Sequence, residues 1–261
     1  MGIGDEIMVT ALVRKMQRTN PLPVAIKHST RSIRYHPIWE NNPRIVHPRR
    51  IPAQFQTLDV HGGARPYIDY AQSAPDRTRW AFKPCELEPG EIYFSDAEKL
   101  LMPNGRNHII VEPNIKAGAP VNKQWPFAKW QELCSLLREM GYQPLQLGTP
   151  TERRLVGIKH CFTPTVREAA AIIAGSLDVV THEGAFHHIA ACFGVPTAVI
   201  RGGYIGPQVT GYAGQWDFFS PTPAHPIGCG NRTPCPHCEY IMARIEASQV
   251  AEAVQKLLTP G

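Results

Sequence analysis

The run His108-Ile109-Ile110-Val111-Glu112-Pro113-Asn114 decides the fold. A short apolar run closed by Pro-Asn reads as a buried strand over 108–112 that delivers its last residue to a loop. Working outward toward the C-terminus, the pattern predicts a helix over 127–140, a strand over 143–147, a helix over 166–174, a strand over 178–181, a helix over 184–193 and a strand over 197–200. Alternation at these lengths means βαβ units on a parallel sheet. A last helix over 248–258 carries Val250, Ala253, Val254 and Leu257 on one face, with Ser248 as its expected N-cap.

Toward the N-terminus the signal weakens. Pro103-Asn104-Gly105 is a turn and a natural junction, dividing the chain into residues 1–105 and 106–261, with a short helix over 96–102 just before it. Residues 29–92 are rich in Pro, Arg, Asn and Gly with weak periodicity, and no fold can be read there. A short strand is expected over 23–26. Residues 5–19 carry Ile7, Met8, Ala11, Leu12 and Met16 at helical spacing, directly after the turn Gly2-Ile3-Gly4. Such glycine turns normally follow a buried strand. The expectation is that this strand is lost from the start, or that another segment fills its place.

With 261 residues, 43% of them hydrophobic, the chain can bury one large or two small α/β cores. No apolar run of about 18 residues occurs, and acids stand where a leader would carry a basic flank and an apolar stretch. The expected location is the cytoplasm, including the inner-membrane face. The net charge of +5 rests partly on Arg31/Arg34 and Arg44/Arg49/Arg50. It suits nucleotide sugars, phosphorylated glycolipids or nucleic acid, and equally a solvated basic surface. Seven cysteines, an odd number, argue against a disulfide framework, and Cys134 and Cys192 read as small buried hydrophobes.

Five places can carry chemistry. Asp5, at the first turn of a helix, is either a base facing the crevice or a cap favoured by the helix dipole. Lys123, before Trp125-Pro126, either neutralises a diphosphate or is solvated beside a packed tryptophan. In Thr181-His182-Glu183-Gly184-Ala185-Phe186-His187-His188, Glu183 can hold sugar hydroxyls and the Gly184 amide can face the same crevice. His187 and His188 are adjacent, so one of them is expected in the core, and the spacing excludes an H-E-x-x-H zinc site. Gly202-Gly203-Tyr204 is either a close-approach loop for a ligand's phosphate or base or a plain turn. Cys229, Cys235 and Cys238, with His237 between the last two and His225 upstream, suit a structural zinc or iron ion. The alternatives are free loop cysteines or a redox-labile pair.

Taken in order, these segments resemble glycosyltransferase family nine, the ADP-heptose:lipopolysaccharide heptosyltransferases and their relatives. The likeness rests on Gly4-Asp5-Glu6-Ile7-Met8-Val9-Thr10-Ala11-Leu12, Pro37 to Asn42-Pro43, Lys123-Gln124-Trp125-Pro126 with Trp130, Leu147-Gly148-Thr149-Pro150-Thr151-Glu152, His188-Ile189-Ala190-Ala191 and Gly194-Val195-Pro196-Thr197. It spans most of residues 2–203 and, loosely, the cysteine-bearing tail.

The resemblance implies a GT-B-like α/β fold of two Rossmann-like domains with mainly parallel sheets, the N-terminal half shortened. It implies transfer from a nucleotide-diphosphate sugar, ADP-sugar first, to a glycan or glycolipid hydroxyl, with inversion and without a catalytic metal. Asp5 becomes the general base beside Gly4 on the acceptor side. Lys123, Thr149, Glu183, Gly184, Gly203 and His188 become donor-side residues. Where the family has Asp-Ser/Thr-Gly, this chain has Glu183-Gly184-Ala185, which leaves the donor sugar open. Transfer to modified DNA or protein, or nucleotide-sugar binding without turnover, are the alternatives.

Overall fold

The computed structural model describes residues 2–27, 32–60, 65–103 and 107–259. The junction at 104–106 and Arg31 lie outside the described residues. The first half opens with α1 (Ile3–Gln17). A two-stranded parallel ribbon follows, β1 (Val24–Lys27) beside β2 (Gln56–Asp59), with Ile45 bridging to Val24. An antiparallel arm, β3 (Ile68–Asp69) with β4 (Ala81–Phe82), and the short α2 (Asp96–Lys99) complete it.

The second half contains β5 (His108–Glu112), α3 (Phe127–Glu139), β6 (Gln143–Gly148), β7 (Lys159–Phe162), α4 (Val166–Ala174), β8 (Asp178–His182), α5 (Ala185–Cys192), β9 (Thr197–Gly202), α6 (Pro207–Thr210), β10 (Gln215–Phe219), α7 (Pro236–Arg244) and α8 (Ala247–Leu258). Its strands form one six-stranded sheet in the order β10-β9-β8-β5-β6-β7, and every pair is parallel. The order reverses at β5 and β8, and the crevice beyond the carboxyl ends of such strands is where α/β sheets present their ligands.

The sheet is covered on both faces, which is why its central strands are nearly continuous apolar runs. Ile109, Val111, Val180, Ala198 and Ile200 pack on one side with Trp130, Leu133 and Leu137 of α3 and Val250 and Val254 of α8. Ile110, Leu145 and Val179 turn to the opposite side, against Ala169, Ala170 and Ile173 of α4 and Ile189 of α5. The same apolar cluster continues into the first half through Ile7, Val9, Val13, Ile26, Trp39 and Val60. One core therefore runs across both halves. The Trp39 indole N–H, buried within it, donates to the Glu6 carbonyl at 2.7 Å.

The first half, expected to be shortened, carries a two-stranded parallel ribbon among its described residues. Several element boundaries are corrected. The helix expected from residue 5 starts at Ile3, so Gly2-Ile3-Gly4 is its cap and first turn rather than a free loop. The N-cap of α8 is Glu246, whose amide donates to Gln249 Oε1 in the first turn at 3.0 Å, and Ser248 sits inside the helix. The helix near residue 96 ends at Lys99, short of Met102. Among the described residues, no helix is long and apolar enough to cross a membrane.

Candidate functional site

The site assembles where the N-terminus of α1 meets the loops beyond β5, β8 and β9. Asp5 is buried, and three donors hold its carboxylate. Arg65 Nε and the Gly2 amide bond Oδ2 at 2.8 and 2.9 Å, and the Tyr67 hydroxyl donates to Oδ1 at 2.8 Å. Asp5 therefore caps α1 and also faces partners from another segment. A carboxylate has about four acceptor positions, so the open one lies on Oδ1 beside Tyr67. Burial first, then the Asp5 and Glu183 charges, raise the Tyr67 phenol well above its ordinary value, so it stays a donor.

Lys123 closes the short helical turn 121–123 and is far from solvated. Its ammonium pairs with the Glu183 carboxylate, lies 3.3 Å from the Glu183 carbonyl and sits 5.1 Å over the Tyr204 ring. Burial opposes ionisation of Glu183, but Lys123 and the surrounding positive groups outweigh it and hold the carboxyl below its usual range. Glu112, at the end of β5, accepts from the Thr181 hydroxyl. Burial pushes its carboxyl up to about 8, so it is protonated at neutral pH.

Both adjacent histidines are buried, their rings 4.0 Å apart. His187 is the structural one: Nδ1 accepts from the Gly184 amide at 3.0 Å, which leaves Nε2 to donate to the Thr210 carbonyl at 2.9 Å. Buried Arg201 braces the same residue, bonding the Thr210 hydroxyl at 2.9 Å and pairing with Asp217. His188 turns toward α1. Its Nδ1 pairs with the Tyr212 hydroxyl at 2.6 Å, and burial brings its pKa down to about 4. Tyr212 also lines a cleft of about 530 Å³ between residues 84–87 and 207–213.

Three of the glycines singled out in the sequence have packing or bonding roles in the fold. A Cβ at Gly4 would stand 2.4 Å from the His188 ring, so its smallness serves helix packing. The Gly184 amide, expected to face a phosphate, is spent on His187. At Gly203 the side that a Cβ would occupy is taken by the His237 ring, 2.7 Å from that position. Thr149 is exposed at the end of β6, its amide donating to Glu152 Oε2 at 3.2 Å. Arg34 and Arg44 pair with Glu6 and Glu91, so neither is a free basic patch.

Cys229, Cys235 and Cys238 place their sulfurs within 4.8 Å of one another, with Cys229 and Cys238 at 3.3 Å. The bond from Cys238 brings the Cys229 thiol down to about 6 against the effect of burial, and Cys238 moves the opposite way. Three convergent thiols, one readily ionised, fit a soft metal ion. His237 does not join them. Its Nε2 lies 3.2 Å from the Ser220 carbonyl, and His225 is drawn to Arg79.

Sequence reasoning misses Arg65, Tyr67, Arg201 and Tyr212. Arg201 and Tyr212 lie at and beyond the end of a strand that the pattern does reveal. Arg65 and Tyr67 fall in the stretch without periodicity, where nothing in the spacing marks them.

No protein-family model matches the chain, and no curated protein matches it in sequence. Solved structures do. A glycosyltransferase family 9 protein from Veillonella parvula superposes over 99% of this chain and 94% of its own, with a TM-score of 0.64 and 12% identity. The dodecameric iron-containing heptosyltransferase TibC, in complex with ADP-D-beta-D-heptose, matches over 80% of this chain and 62% of its own, with a TM-score of 0.52 and 14% identity. Against ADP-heptose LPS heptosyltransferase II of E. coli the match is 67% of this chain and 55% of that one, at 19% identity and a TM-score of 0.49. This chain thus spans little more than half the length of the heptosyltransferases. The likeness to the Veillonella protein and TibC shows the fold alone: a GT-B-like α/β arrangement.

Proposed function

We propose that this protein is a glycosyltransferase that moves a sugar from a nucleoside diphosphate to an acceptor hydroxyl. One observation carries the reading: the Tyr67 hydroxyl bonds Asp5, and the Tyr67 side chain packs on the cluster containing Tyr204, over whose ring the Lys123 ammonium, paired with Glu183, sits at 5.1 Å. Together with a fold that glycosyltransferases use, this supports a proton acceptor and a cation working on either side of one crevice.

In the proposed reaction the acceptor oxygen attacks the anomeric carbon from the face opposite the diphosphate. Its proton passes to the open position on Asp5 Oδ1. The bond from the anomeric carbon to the phosphate oxygen breaks, and the electron pair leaves with the diphosphate. Lys123 moves from Glu183 toward that charge and stabilises it. Glu183, so released, holds sugar hydroxyls, and a single displacement inverts the anomeric centre. His188 and Thr149 complete the donor side.

No metal enters this chemistry. A zinc or iron ion held by Cys229, Cys235 and Cys238 would supply cross-linking of the loop that carries them. ADP-sugars are the first donors to try, ADP-heptose among them, because TibC is described in complex with one. Glycans and glycolipids are the first acceptors.

A thermal-shift screen against nucleotides and nucleotide sugars tests the reading, because a ligand of the folded state raises the midpoint. A shift of several degrees with one nucleotide family, followed by release of that nucleotide when acceptor is added, supports transfer. A shift without release would mean binding without turnover, and no shift with any donor would remove the reading.

A further inference from the structure

Arg65 and Tyr67 reach Asp5 from the arm formed by residues 65–82. The arm is seated on the cysteine loop. The Trp80 amide donates to the Gly230 carbonyl at 2.9 Å, the Arg232 amide to the Thr78 carbonyl at 2.7 Å, and Arg79 Nε to the Cys229 carbonyl at 3.1 Å. Tyr67 and Phe82 pack against the cluster that contains Tyr204, Cys229 and Cys238.

The opposite side of the same loop grips the turn that carries Lys123. Asn122 Nδ2 donates to the carbonyls of Asn231 and Thr233, each at 2.7 Å, and Asn122 Oδ1 accepts from the Cys235 amide at 2.9 Å. Gly230 makes the seat possible. Its φ is +65, and a Cβ there would fall 1.8 Å from the Trp80 carbonyl oxygen.

We propose that Arg65 and Tyr67 are positioning residues for Asp5, carried on an arm whose seat is set when Cys229, Cys235 and Cys238 close on one soft metal ion. The arm has two-residue strands that pair with each other, and the loop supplies the backbone partners of Thr78 and Trp80 at its tip. A loop cross-linked by three thiolates keeps those partners in place, and an open one releases them. The catalytic consequence rests on the transferase reading, whereas the seating does not.

Elemental analysis of the full-length protein, then chelation and reloading with zinc or iron(II), tests the seating through amide hydrogen exchange. The metal-free protein should exchange the Trp80 and Arg232 amides at least about ten-fold faster, with β5 and β8 unchanged, and reloading should restore them. Unchanged protection, or a chain that takes up neither metal, would overturn it.

Tyr67→Phe and Gly230→Ala test the positioning. Each should lower kcat by about ten-fold or more with the donor Kd held within about two-fold, because neither is among the residues proposed to hold the donor. An unchanged kcat, or a loss of donor affinity that accounts for the whole effect, would overturn that half. Donor binding without any turnover in the parent protein would remove the positioning claim along with the transferase reading, and the exchange result would still decide the seating.

Discussion

Arg167 of α4 binds Glu98 of α2 at two points, Nε to Oε1 at 2.6 Å and Nη2 to Oε2 at 2.7 Å. The same guanidinium donates to the carbonyls of Pro37, Ile38, Glu40 and Tyr93. A side chain from the sheet-bearing half thus fastens two loops of the other half. The bond from Arg167 is the largest of the effects that bring Glu98 down to about 2.

Removing that guanidinium leaves a carboxylate and several carbonyls without their partner. An Arg167→Met protein should lose about 3–5 kcal/mol, which for a chain of this size is a fall on the order of 10 °C in the unfolding midpoint. Calorimetry checks it, and a midpoint within a degree or two of the parent would contradict the role.

Asp5→Asn keeps the shape of the side chain and an oxygen for Tyr67 while removing the proton acceptor. Turnover should fall by about 10²–10⁴, with the donor-induced thermal shift retained. Full activity in this variant would end the assignment of Asp5 as base.

Lys123→Met strips the buried Glu183 of its counter-charge. Both donor affinity and about 3–5 kcal/mol of stability should be lost. Adding Glu183→Gln should recover most of the stability and none of the affinity, since the lone buried charge goes but the cation is still missing. A double variant no more stable than Lys123→Met would show that the pair is not coupled as described.

Glu112 gives a pH signature. Its folded value of about 8 lies above the ordinary carboxyl value, so its contribution is fully present below about pH 4.5 and is lost as pH rises through 8. Compared with Glu112→Gln, which cannot ionise, the parent should lose about 1.4 kcal/mol per pH unit across much of that window. Denaturant midpoints at several pH values measure the difference. Parallel curves for the two proteins would mean that Glu112 ionises freely.

The second half is legible because β5, β6, β8 and β9 alternate with helices long enough to show their period. The edge strands β7 and β10 are not, since their exposed residues break the apolar run. In the first half, Ile38, Trp39, Ile45, Val60 and Ile92 reach the core from loops, and burial without periodicity leaves no pattern to read. Asp5, Lys123, Glu183 and His188 stand out from their places beside recognisable helices and strands. Arg65 and Tyr67 belong to an arm of two-residue strands, whose pairing is set by distant loops. Gly184 and Gly203 illustrate the opposite difficulty: the Gly184 amide bonds His187 although a Cβ there would meet only the His182 carbonyl oxygen, at 3.9 Å, and the smallness of Gly203 makes room for the His237 ring.

The apolar cluster that joins Ile7, Val13 and Trp39 to Ala170 and Ile189 puts residues of both halves in one continuous core. Unfolding should follow one transition seen alike by probes in either half, and swinging the halves apart would expose the core itself. Under the proposed function, ligand exchange is therefore expected to depend on local yielding of the arm and loops and not on separation of the halves.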